Sequence, residues 1–179
     1  IIEIAGVDLN FQAFELDTLM PTGGKLAKVA GFNSDQRPYV FQWRDDGDLE
    51  ELREQEEANL AHGAKFIVAV ADGTNRIAVE GEAFDWPADE ISGAVVRKLG
   101  RVSAECAVYL ERKDQPDRLL GDDDVIKIRK NGIEQFRSEK PQVWELNVQG
   151  KKIVSTTPVI SVVDALTRAG FDANAWIII

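Results

Sequence analysis

The chain has 179 residues and a formal net charge of −10, with 44% hydrophobic and 29% charged residues, the balance of a soluble globular protein of one or two domains. A surface this acidic repels phosphate backbones and argues against nucleic-acid binding, and no apolar run approaches the roughly 20 residues that span a bilayer. One Cys and one His exclude an internal disulfide framework and a Cys-rich zinc site, point to the reducing cytoplasm, and remove the usual general base of an enzyme.

The chain opens Ile1-Ile2-Glu3-Ile4, without the basic flank and long apolar stretch of a secretory leader. Ile1 to Leu16 reads as a loose hairpin around Gly6 with a long loop. Leu26, Val29 and Ala30 mark one buried helical face, with Thr22 as a candidate N-cap and Gly31 as the expected C-terminal cap. Val40 to Arg44 alternates as a strand, and Asp45-Asp46-Gly47-Asp48 is a polar turn. A short segment at Leu49 and Leu52 follows, then an acidic stretch, the turn His62-Gly63, and a last strand from Lys65 to Val70.

After a boundary near Ala71–Thr74 the order returns. Arg76 to Trp86 is an alternating hairpin around Gly81. Val95, Val96 and Leu99 form a helical face that Ser92 opens and Gly100 closes. Val108 to Arg112 is the next strand, Lys113 to Pro116 the turn, Leu119-Leu120 the short segment, Asn131-Gly132 the second turn, and Gln135 to Arg137 a weaker last strand. A third copy starts beyond Glu139-Lys140-Pro141, with a hairpin from Val143 to Val154 around Gly150. Its helix carries Val162, Val163, Leu166 and Ala169, with Thr157-Pro158 as the expected start and Gly170 as the end, and Trp176 to Ile179 begins its third strand. Ala30-Gly31-Phe32 recurs as Ala169-Gly170-Phe171 with Leu99-Gly100 midway, a period of about 70 residues.

Hairpin, crossing helix, strand, short strand and returning strand make a β-grasp. The expected architecture is α+β: tandem β-grasp domains at 1–71 and 72–140, and the first half of a third at 141–179. On the third strand of each unit, Phe41 and Trp43, and in copy two Tyr109, alternate away from the helix side. They are candidates for a partner surface or for packing between repeats. Half a β-grasp cannot cover its own helix, so Val163 and Leu166 are expected to be exposed, with Trp176, Ile177, Ile178 and Ile179 as an unprotected edge strand. These six residues form a candidate self-association surface, to be completed either by residues beyond this sequence or by another chain.

No catalytic, cofactor-binding or metal-binding residues are assigned. Cys106 opens an apolar strand without a neighbouring His and reads as a buried structural thiol. His62 sits at a turn where copy two has Asn131, a backbone-shaping position. Asp45–Asp48 and Asp122–Asp124 lack the alternate-oxygen spacing of a calcium loop, and Thr22-Gly23-Gly24-Lys25 lacks the upstream Gly and following Ser or Thr of a phosphate loop.

The Gly-terminated helices, above all Asp164 to Asp172, together with Leu119 to Val125 and Asn131 to Phe136, resemble the bacterial multiubiquitin family over nearly the whole chain. That resemblance implies a ubiquitin-like protein modifier or its precursor, not an enzyme. Its implied partners are activating-enzyme-like, conjugating-enzyme-like and metalloprotease-like proteins that act on a small, unhindered C-terminal residue. This sequence closes instead on three Ile residues inside the third unit. The competing readings are a self-assembling β-grasp array and a non-covalent binding adaptor.

Overall fold

The computed structural model describes residues 1–157 and 159–173. Residues 1–139 form one compact body and 140–179 a second. The first body holds two copies of the same arrangement. In the first, β1 (Ile2–Ala5) and β2 (Gln12–Phe14) form a hairpin, α1 (Gly23–Val29) crosses it, and β3 (Tyr39–Trp43), β4 (Leu49–Glu51) and β5 (Lys65–Ala69) follow. The sheet order is β2-β1-β5-β3-β4, with β1 and β5 parallel at its centre. In the second, β6 (Asn75–Val79), β7 (Glu82–Trp86), β8 (Glu90–Ser92), α2 (Gly93–Leu99), β9 (Ala107–Leu110), β10 (Arg118–Leu120), β11 (Val125–Lys127) and β12 (Ile133–Glu139) give the order β10-β9-β12-β6-β7. The weakly patterned segment around Phe136 is thus a seven-residue central strand. β8 and β11 add a two-stranded ribbon that the sequence pattern does not signal.

The core of each copy lies between helix and sheet. In the first, Ile2, Ile4, Leu26, Val40, Leu52, Phe66 and Val68 are buried together. In the second, Ile77, Val79, Phe84, Trp86, Val96, Leu99 and Phe136 do the same work. The second hairpin turns at Glu80-Gly81, both with positive φ (54° and 85°), the primed geometry whose twist matches the flanking strands.

Helix starts obey one rule in both copies. Thr22 and Ser92 accept hydrogen bonds from the amides of Lys25 and Val95 at 3.3 Å. The next residue is Gly, because a loop from the second half of the unit crosses there. A Cβ on Gly23 would lie 2.4 Å from the Arg53 carbonyl oxygen, and one on Gly93 would lie 2.1 Å from that of Gly121. The loops take up the helix-start amides: Gly24 donates to Glu54 at 2.9 Å and Ala94 to Asp122 at 3.0 Å.

Helix ends differ from the sequence expectation in copy two. Gly31 and Gly170 follow their helices in the left-handed region, with φ of 89° and 78°. Gly100 does not: its φ is −75°, and Arg101 holds the left-handed position at φ 49°. The closing bonds are nonetheless shared. Phe32, Val102 and Phe171 donate back to Ala27, Arg97 and Leu166 at 3.0, 3.0 and 2.9 Å. Gly100 therefore aligns with Ala30 and Ala169, and is Gly for space, since a Cβ would lie 2.6 Å from Val79 Cγ1.

The second body has β13 (Trp144–Val148) paired with β14 (Lys151–Ser155), then α3 (Val162–Arg168). Ile153, Ala165 and Ala169 form its small core. Ser161, not Thr157, caps α3, accepting from the Asp164 amide at 3.1 Å. The Thr157 hydroxyl is committed to the Val159 carbonyl at 2.8 Å. Leu166, expected to be exposed, is buried at 8% exposure, whereas Val163 is 62% exposed. The edge expected of Trp176 to Ile179 lies outside the described residues.

Candidate functional site: the outer sheet faces

Alternation along β3 sends Val40 and Gln42 to the helix side and Tyr39, Phe41 and Trp43 to the other. Gln42 is buried yet satisfied, its amide donating to the carbonyls of Asn59 and Gly63 at 2.8 and 2.7 Å. On the opposite face Phe41 stands beside Ile67 of β5 in register. Both are shut from water, at 1% and 0% exposure. What shuts them in is the second copy. Leu9, Phe41 and Ile67 belong to one continuous buried cluster with Ile77, Val79, Val96 and Leu99, and Trp43 and Phe11 pack against it. Phe11 and Trp43 are 5.8 Å apart, and Lys65 lies 5.2 Å over the Phe11 ring. Burying an aromatic this completely contributes about 2–3 kcal/mol.

A polar clamp from Lys98 of α2 and Arg101 just beyond it frames the apolar contact. The Lys98 ammonium donates to the Leu9 carbonyl at 3.0 Å and to Asn10 Oδ1 at 3.4 Å. Arg101 donates to the carbonyls of Asp45 and Arg44 at 2.8 and 3.4 Å. The left-handed backbone at Arg101 coincides with this contact: where the other helices end in Gly, this one spends strain on a side chain that grips its neighbour.

Copy two presents the equivalent face differently. Tyr109 occupies the place of Phe41, and its register partner on β12 is Arg137 where copy one has Ile67. The guanidinium lies 4.9 Å over the Tyr109 ring. Arg137 also holds Asp117 at 2.8 Å and Glu139. The hydrogen bond from Arg137, helped by one from the Arg112 amide, keeps the Asp117 carboxyl below the usual carboxylate range. Copy two thus covers its own aromatic, and Leu119 at its margin stays 58% exposed.

The remaining sequence candidates separate. Cys106 is half-buried, not buried, and its carbonyl accepts from Arg97 at 2.9 Å. His62 is exposed in a short 3₁₀ turn, Leu60–His62. Among the described residues, no three His, Cys, Asp or Glu side chains gather where they would hold a metal ion, and no helix is long and apolar enough to cross a membrane. Sequence reasoning missed Leu9, Ile67, Lys98, Arg101 and Arg137. Arg101 alone carried a signal: a cation placed where the repeat elsewhere has Gly.

A model of the family described as Multiubiquitin matches residues 5–72 and again residues 75–140. No curated protein and no solved structure matched the chain. The two matched segments are the two β-grasp units of the first body, so the chain belongs to the multiubiquitin family.

Proposed function

We propose that the chain is a ubiquitin-like modifier, or the precursor of one, that performs no chemistry of its own. It is handled in a bacterial cytoplasm by activating-, conjugating- and metalloprotease-type enzymes. The observation that carries this reading is the pair of complete β-grasp units matched to the multiubiquitin family. A modifier contributes a carboxyl terminus and recognition surfaces, while its enzymes contribute the catalytic groups. The single unpaired Cys106 fits a reducing compartment. The test is intact mass of the natural full-length protein after incubation with its activating enzyme and ATP. An ATP-dependent, thiol-sensitive adduct through the C-terminus is the expected result; its absence sinks the reading.

A self-assembling array is the second reading, favoured by the exposed Val159, Val162 and Val163 of the second body. The contact between the first two copies does not supply a propagating interface, because its parts do not recur. Tyr109 and Arg137 replace Phe41 and Ile67, and Thr167 and Gly170 stand where copy two has Lys98 and Arg101. Large assemblies by light scattering, without any adduct, would favour the array.

A further inference from the structure

The turn from β11 into β12 holds the one Asn-Gly step of the sequence, Asn131-Gly132. Four other Asn side chains are tied down. Asn10 donates to Asp8 Oδ2 at 2.8 Å and Asn75 to the Ala88 carbonyl at 2.9 Å, while Asn59 and Asn147 accept from the amides of Ala61 and Gly150 at 3.0 and 2.8 Å. Asn131 is exposed, and among the described residues its carboxamide has no hydrogen-bond partner. The Gly132 amide is held loosely, donating to the Arg129 carbonyl at 3.3 Å, a long bond for an N–H.

Copy one shows the same turn closed in. Gly63, the counterpart of Gly132, follows His62 and is walled by backbone: a Cβ there would lie 2.6 Å from the Trp43 carbonyl oxygen. Around Gly132 the atoms nearest to such a Cβ are Arg129 Cβ, Nε and Cζ, at 3.7, 3.7 and 3.8 Å. The Arg129 side chain is 74% exposed and has space to swing aside. The turn of copy two therefore has room for a succinimide ring, and it carries the two groups that close one.

We infer that Asn131-Gly132 is a self-modification site, at which the chain and water turn the Asn131 carboxamide into a carboxylate and ammonia. The backbone nitrogen of Gly132, its proton passing to hydroxide, attacks Cγ of Asn131. The new C–N bond closes the succinimide, and the Cγ–Nδ2 bond breaks with Nδ2 leaving as ammonia. Glycine suits the attacking position because no side chain shields its nitrogen. Water then opens the ring. Hydrolysis at Cγ leaves an aspartate; hydrolysis at the main-chain carbonyl carbon leaves an isoaspartate, whose backbone runs through the side chain and is one carbon longer. Either product sets a carboxylate beside Arg129, which holds the buried Glu134 at 2.5 Å. The added carbon falls just ahead of β12, where Ile133 and Glu134 pair with Arg76 and Ile77 of β6. The mark is confined to copy two, since His62 of copy one has no amide to lose. The inference goes beyond the modifier reading and stands whether or not the chain is conjugated.

The test holds the full chain in warm, mildly alkaline buffer for days, digests it at acid pH and maps the fragments by mass spectrometry. The expected result is conversion at Asn131 ahead of every other Asn, as two products of equal mass that separate on chromatography. Amide exchange at Ile133 and Glu134 is expected to quicken in the isoaspartate form. Gly132→Ala places its Cβ at ordinary contact distance, so it is expected to fold, and to lose most of the product because the methyl group shields the nitrogen. Should it fail to fold, the exposed Asn131→Gln carries the test: its longer side chain closes the ring poorly, and the conversion is expected to stop. An Asn131 that stays intact, another Asn converting first, or an undiminished yield from folded Gly132→Ala or Asn131→Gln would overturn the inference. Unchanged exchange at Ile133 and Glu134 would overturn its link to β12.

Discussion

Arg101 and Gly100 exchange the roles that two neighbouring residues play at the other helix ends. Arg101→Ala removes the bonds to Asp45 and Arg44 and keeps the left-handed strain, whereas Arg101→Gly removes the bonds and relieves it. The glycine variant should therefore be the more stable of the two by about 1 kcal/mol, measured by chemical denaturation. Gly31→Ala should cost about 1 kcal/mol through backbone strain alone, because its Cβ would meet nothing within 4 Å. Gly100→Ala should cost about 1–3 kcal/mol through its collision with Val79, with no backbone strain at φ −75°. The period of Gly residues was readable from the sequence. The swap was not, since a Gly kept for space and a Gly kept for φ are the same letter. Asp117 supplies the pH dependence at this scale. Its folded pKa is depressed, so its contribution is complete above the ordinary value of 3.8 and is lost as pH falls through the lowered folded value. An NMR titration of the Asp117 carboxyl should show that depression, and Arg137→Gln should abolish most of it.

Short helices depend on how they begin. α1, α2 and α3 have seven residues each, too few to persist alone, and their starts are secured by a hydroxyl cap. In the first two copies the returning loop adds its carbonyls, which is why Gly93→Ala, placing a Cβ 2.1 Å from the Gly121 oxygen, should destabilise by about 1–3 kcal/mol. Thermal melts of that variant beside Ala94→Gly would separate collision from helix propensity. Helix periodicity and strand alternation made the main elements legible. The start of α3 was misread because Thr157-Pro158 carries the same capping letters as a true start, while the Thr157 hydroxyl is already bound to Val159. The β8–β11 ribbon was missed for a different reason: it joins two three-residue segments that lie far apart in sequence and have no pattern of their own.

The first two repeats share one buried cluster, and so they should share one unfolding transition. Phe41→Ala should cost about 3–5 kcal/mol, as deletion of a buried Phe does, and should split that transition in calorimetry as copy one parts from copy two. The alternation of β3 puts Phe41 and Trp43 on the face of the sheet away from α1. It could not say what lies over them, because the buried cluster that Phe41 joins, and the Lys98 and Arg101 side chains at its rim, draw on another repeat that only three-dimensional packing brings there. Tyr109 sits at the same register and is covered by Arg137, a difference of one residue on the neighbouring strand.

The glycine at the first helical position also records which pieces of this chain are interchangeable. The second halves of copies one and two are each shaped to lay a carbonyl on a bare Cα, so either should seat on the other's helix. At the corresponding place α3 carries Val162. A graft of residues 103–139 behind α3 would press the Gly121 oxygen onto the Val162 Cβ and remain ajar, and Val162→Gly is the change that would let it close. A single side chain there sets the start of the third helix apart from the first two, where the same position is bare.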